Sequence, residues 1–210
     1  MRDLILGLHA GANSSAAIGS GGRLLYCVQE ERLTGIKGYI GFPRHAISAC
    51  LEYLGASPED VTQVAYGSRS GPVDHCPPDE FRRRLRLFHQ RSDAAETEAR
   101  LAAGRPDDLP QRLRPLLDRI GITAPIAYYD HHTTHAATAY YGLRDRPDRP
   151  YLVLTCDGFG DGACATVSIW RGGRHREVAR TEMRNSPGLL YFWATHAYGF
   201  TPHADEYKLM

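Results

Sequence analysis

The sequence predicts an α/β fold made of two halves on one plan, with a mainly helical insertion in the first. Two observations carry this. Residues 3–32 and 151–183 share one order: an apolar strand ending in a small-residue turn, a second strand, a glycine hairpin and a third strand. The chain also has 210 residues, 42% of them hydrophobic, enough for a sizeable core.

The elements follow in order. Leu4–Leu8 is a short apolar run that enters the turn HAGANSS, and Ser15–Ile18 resumes as a second strand. Gly21-Gly22 turns the chain into RLLYCVQEER, a third strand. Pro43 opens a helix in which Ile47, Cys50, Leu51 and Leu54 have helical spacing, and Gly55 ends it. VTQVAYGS is a half-buried strand. From Gly71 to Leu117 the texture turns Pro-, Arg- and acid-rich, with DEFRRRLRLFHQR and ETEARLAA as surface helices of an insertion or lid. The arginine run is either a phosphate patch or a solvated helix face. PIAYYDHH is then a strand leading into the helix HAATAYYGL. YLVLTCD, the glycine turn DGFGDGA and a Gly172-Gly173 hairpin repeat the opening pattern, and Ser186-Pro187 starts a last helix. The expected organisation is 1–70 and 118–150 for the first half, 71–117 for the insertion, and 151–210 for the start of a second half. The helical pattern continues to Met210, so a fragment of a longer protein is expected.

Net charge is +1, with 25 basic and 24 acidic residues, and this argues against nucleic acid or an anionic membrane as partner. A small-molecule site fits better. Cys27, Cys50, Cys76, Cys156 and Cys164 are odd in number and form no CxxC pair, which argues for reduced thiols rather than a disulfide framework or zinc ribbon. No secretory signal or membrane-length apolar run is evident, so the expected compartment is the cytoplasm. Of the 25 basic residues only Lys37 and Lys208 are lysines. Either chance retained them or a primary ammonium is needed there.

Chemistry concentrates in DHHTTHAATAYYG. His131 and His135 are four apart, so on a helix they share a face and suit one metal ion; His132 with His135 is the weaker pairing. No HExxH glutamate lies between them, so a zinc-protease reading lacks its base. Asp157, at the end of LVLTCD, is the natural third ligand, or else an ordinary Asp-Gly turn former. Gly158, Gly160, Asp161 and Gly162 make a glycine-rich loop whose N–H groups suit phosphate oxygens, unless it is a plain hairpin turn. His9 occupies the strand-end position that matches Asp157 and either orients substrate or is satisfied by backbone. Lys37 stands in a glycine-spaced loop suited to an anionic ligand, as Arg32 or Arg44 also would.

Taken together, HAGANSSAA, EERLTGIKGYIGFP, DHHTTHAATAYY, LTCDGFGDGA and SPGLLYFW…HADEYKLM resemble the N-terminal part of the O-carbamoyltransferases of nodulation-protein and antibiotic-biosynthesis type. Only the 71–117 region is uncovered. The resemblance implies an incomplete actin-like (ribonuclease H-like) duplicated fold. It implies an enzyme that passes a carbamoyl group from carbamoyl adenylate, made from carbamoyl phosphate and ATP by a YrdC-like C-terminal domain, to an acceptor hydroxyl. It places a divalent metal, iron(II) or zinc(II), on His131, His135 and Asp157, and the transfer site on His9 and Lys37. The family's fourth ligand and its adenylate-making domain lie outside this sequence, so the chain alone is expected to be inactive. A tRNA threonylcarbamoyl-transfer metalloprotein shares fold and His pair but writes the pair HxEGH, against HHTTH here. A non-catalytic remnant of the fold, or an actin-like sugar kinase, would also share the strand pattern.

Overall fold

A computed structural model of the chain describes residues 3–69, 108–146, 148–202 and 205–209. It is a mixed α/β structure in two compact units, one holding residues 3–69 and 108–129, the other beginning at Asp130. The two helices expected at 79–91 and 96–103 lie outside the described residues.

The first unit is a five-stranded sheet. β1 (Leu4–His9), β2 (Ser15–Ser20) and β3 (Arg23–Gln29) form an antiparallel meander, and β4 (Val61–Tyr66) and β5 (Ile126–Tyr128) run parallel to β1, giving the order β3-β2-β1-β4-β5. Alternation in LILGLH buries Leu4, Leu6 and Leu8. These pack with Ala46, Ile47 and Cys50 of helix α2 (Arg44–Leu54) and with Leu109, Leu113 and Leu117 of helix α3 (Asp108–Asp118). The Arg-rich texture before Leu117 suggests surface, but the i, i+4, i+8 leucines place α3 in the core of this unit. Gly55, in the left-handed region at φ 60°, ends α2 and donates to the Glu52 and Leu51 carbonyls, the stop expected from sequence.

β3 is shorter than expected. The chain leaves the sheet after Gln29 and enters a one-turn helix, α1 (Glu30–Thr34), whose two glutamates are buried. Glu30 accepts from His45 N–H at 3.0 Å and Ala46 N–H at 2.7 Å, with His45 Nδ1 at 2.7 Å, so it satisfies the exposed amides at the start of α2.

The second unit is a three-stranded antiparallel sheet, β6 (Tyr151–Gly160), β7 (Ala163–Arg171) and β8 (Arg174–Glu182), with helices α4 (His131–Leu143) and α5 (Pro187–Ala197). The helix with the histidine pair, expected with the first half, belongs by its contacts here: Ala136 and Tyr140 pack on Val153 and Trp170. The Tyr140 and Trp170 ring centroids are 5.1 Å apart, and His175 stacks on Trp170 at 4.4 Å. Among the described residues no helix is long and apolar enough to cross a membrane.

Candidate metal centre

Two features of α4 aim its histidines. Asp130 caps the helix, accepting from Thr133 N–H at 3.1 Å, and Asp161 accepts from His131 N–H at 2.8 Å, so the first turn is held by two carboxylates. Arg180 Nη2, 3.3 Å from Asp130 Oδ2, steadies the cap from β8. The i, i+4 spacing then puts His131 and His135 on one face, with ring centroids 4.5 Å apart.

β6 brings the carboxylate. The sequence predicts Asp157 at a strand end, before a glycine turn, but β6 continues to Gly160 and turns only at Asp161-Gly162. Cys156 pairs with Ala165 and Gly160 with Ala163, so Asp157, Gly158 and Phe159 stand opposite Cys164 alone. This bulge re-aims a side chain within the sheet. It is buttressed by Ser186, whose hydroxyl donates to the Gly158 carbonyl at 2.5 Å, and by Gly188, where a Cβ would come 2.8 Å from Gly158 Cα.

Three atoms converge: His131 Nε2 is 2.6 Å and His135 Nε2 3.1 Å from Asp157 Oδ2, and the two Nε2 atoms are 3.0 Å apart. His131 and Asp157 are half-buried and His135 is exposed, so the cluster has an open side. Burial by itself raises the Asp157 pKa, but hydrogen bonds from His131 and His135 outweigh it and hold the carboxyl well below its usual range. The Asp157 bond in turn raises the His131 pKa against the opposing effect of burial.

These residues fit a divalent cation. Two imidazoles and a carboxylate are the donor set of catalytic zinc and non-haem iron sites, and both nitrogens offer the same edge toward one carboxylate oxygen. Ligands about 2.1 Å from a tetrahedral ion stand about 3.4 Å apart, so the 3.1 and 3.0 Å separations would widen by a few tenths of an ångström and the 2.6 Å separation by about 0.8 Å. Asp157 Oδ2 is the oxygen that both imidazole nitrogens face, while Oδ1 is buried with no hydrogen-bond partner.

Gly160 serves the site sterically: a Cβ there would lie 2.1 Å from the His131 ring. Gly158 and Gly162 are exposed with open space where a Cβ would stand, and Asp161 sits at φ 48° beside the His131 amide.

His9 and Lys37 belong to the first unit. His9 Nε2 is 3.2 Å from the Ala12 carbonyl, and Gly11 folds over the ring, where a Cβ would be 2.8 Å away. The Lys37 loop is tied down rather than loose. Lys37 Nζ donates to Glu31 Oε1 at 2.9 Å, Gly38 N–H to Glu31 Oε2 at 2.8 Å, Gly41 N–H to the Ala10 carbonyl at 2.9 Å and the Ser14 hydroxyl to the Gly41 carbonyl at 2.6 Å. The Lys37 side chain remains 85% exposed.

Sequence reasoning misses the residues behind the three candidate ligands: Asp130, Thr155, Thr166 and Arg180, and the burial of His132 beside them. One signal is present, since Val153, Thr155 and Asp157 alternate along β6, and the first two are buried beneath α4.

Comparison with known proteins identifies the family. Residues 88–210, more than half of the chain, match the family described as Carbamoyltransferase N-terminus. The chain is 30% identical over 209 residues to Nodulation protein NolNO of Sinorhizobium fredii, covering 97% of this chain and 27% of that protein. It is likewise 30% identical over 218 residues to an uncharacterised Synechocystis protein, covering 98% and 34%. The chain thus spans about a third of the length of the curated relatives it matches. Among solved structures it is similar to YeaZ from Pseudomonas aeruginosa, with TM-score 0.42, 13% identity, and coverage of 84% of this chain and 64% of that one. On the family match, this chain belongs to the carbamoyltransferase family as a member of its N-terminal domain.

Proposed function

We propose that the chain provides the transfer site of an enzyme that moves a carbamoyl group from carbamoyl adenylate to the hydroxyl of a biosynthetic acceptor. The observation that carries this is the convergence of His131 Nε2, His135 Nε2 and Asp157 Oδ2 in a member of the carbamoyltransferase family. The actin-like, duplicated reading of the fold is supported by the recurrence of a three-stranded antiparallel meander, β1-β2-β3 in one unit and β6-β7-β8 in the other.

In this reading His131, His135 and Asp157 hold iron(II) or zinc(II), which when bound supplies Lewis-acid polarisation of the adenylate's oxygens. The chain's own groups bind and orient. The exposed backbone at Gly158 and Gly162 leaves room for phosphate oxygens to approach, with Gly160 and Asp161 shaping that turn. Lys37 offers an exposed ammonium to the anionic donor, its position set by Glu31. His9, held by the Ala12 carbonyl, orients the acceptor hydroxyl or takes its proton. Carbamoyl phosphate and ATP are the sources of the donor, with the adenylate made on another part of the whole protein, and the compartment is the cytoplasm.

A sulfamoyl adenosine, a stable mimic of the adenylate, tests this by calorimetric titration. Binding that needs the divalent cation and disappears in His131→Ala supports the reading. Binding that is indifferent to both contradicts it.

A further inference from the structure

His132 Nε2 and Asp157 Oδ1 are both buried without a hydrogen-bond partner, and they face each other at 3.6 Å. His132 is fully buried and is not one of the three converging ligands. Two orphaned polar atoms aimed at one another call for a common cause.

We propose that His132 is a positioning residue for Asp157: its Nε2–H engages Oδ1, leaving Oδ2 as the oxygen offered to the cation, and Thr155 fixes His132 in that tautomer. The proposal rests on the cation-binding reading of His131, His135 and Asp157.

The proton inventory supports it. His132 Nδ1 is 2.9 Å from Thr155 Oγ1, which accepts from Thr166 N–H at 3.1 Å and lies 2.8 Å from Thr166 Oγ1. Consider the two neutral tautomers. With the proton on Nδ1, Thr155 accepts from the ring and donates to Thr166, and the bare Nε2 lone pair then faces a carboxylate lone pair in a buried place. With the proton on Nε2, the Thr166 hydroxyl and amide both donate to Thr155, Thr155 donates to Nδ1, and Nε2–H points at Asp157 Oδ1. Every donor is used and no two lone pairs oppose. The 3.6 Å separation is a few tenths of an ångström beyond a hydrogen bond, a gap that a small turn of the carboxylate about its soft terminal torsion closes. The arrangement makes the carboxylate one-handed: one oxygen is committed to the protein and the other to the open side of the cluster.

Ring 15N NMR of the metal-free 210-residue chain, with Co2+ titration followed by its visible spectrum, tests the proposal. His132 is expected as the Nε2–H tautomer in wild type and in Thr155→Ser. In the titration, His132→Leu and Thr155→Val weaken Co2+ binding about 10–100-fold and alter the spectrum, while His132→Gln, whose amide N–H reaches the Nε2 position, recovers most of the loss. Thr155→Val keeps side-chain shape and carries the same test should His132→Leu fail to fold. An Nδ1–H tautomer in wild type overturns the proposal. So does unchanged Co2+ affinity and spectrum in His132→Leu and Thr155→Val while His131→Ala abolishes binding. If His131→Ala itself leaves Co2+ binding intact, the cation reading falls and the proposal falls with it.

Discussion

Each unit sets a carboxylate beside the start of a helix, and the two are treated in opposite ways. Glu30 in the first unit is fully buried, and both its oxygens accept from the α2 amides and His45. Both oxygens are engaged by protein donors, so its work is structural. Asp157 in the second unit has one oxygen shared by two imidazole nitrogens and the other without a hydrogen bond. The oxygen flanked by imidazoles able to ligate a metal is the one that the proposed cation would take. The two acids thus differ in how their lone pairs are used as well as in burial, Glu30 being fully buried and Asp157 half-buried.

The sharpest way to break this contrast is to neutralise each carboxylate in turn. Asp157→Asn is expected to lower divalent-cation affinity about 100-fold or more, roughly 3 kcal/mol, measured by competition with a chromophoric chelator. Glu30→Gln is expected to leave that affinity unchanged and to destabilise the first unit by about 2–3 kcal/mol in urea unfolding, because the amide NH2 opposes a buried backbone N–H. An effect of Glu30→Gln on cation affinity equal to that of Asp157→Asn would erase the distinction.

A smaller effect is expected at Gly160. Alanine there places a Cβ on the His131 ring, so the ring must move. Cation affinity should fall about tenfold with little change in unfolding midpoint, and a His135→Ala background should show less than additive loss.

The smallest effect concerns the Lys37 loop. Lys37 and the Gly38 amide hold the Glu31 carboxyl below its usual range. A depressed acid contributes stability that is present above its unfolded pKa and is lost as pH falls through the folded one. The Gly38 amide resonance should therefore move with a midpoint below the ordinary Glu value of about 4.3. A midpoint at higher pH would mean that Glu31 does not hold the loop.

Local punctuation is legible in the sequence. Gly21-Gly22 and Gly172-Gly173 make the expected hairpins, Gly55 stops α2, and Ser186-Pro187 starts α5 because cap chemistry is written in adjacent residues. The His131/His135 face is legible for the same reason, being set by helical period alone. What stays hidden depends on partners distant in sequence. The bulge that aims Asp157 is defined only against Cys164, the early end of β3 follows from Glu30 meeting His45 and Ala46, and the role of Thr155 depends on His132 lying above it. α3 is hard to read because Pro110 and Pro115 interrupt its leucine period.

If His131, His135 and Asp157 build a cation site within one unit, the chain carries its metal through purification. Metal analysis of the chain purified without chelator tests this most directly, beside the His131→Ala/His135→Ala double variant. About one equivalent of iron or zinc per chain in wild type and loss of that metal in the correctly folded double variant are the predicted results. Unchanged metal content in the double variant would contradict the assignment.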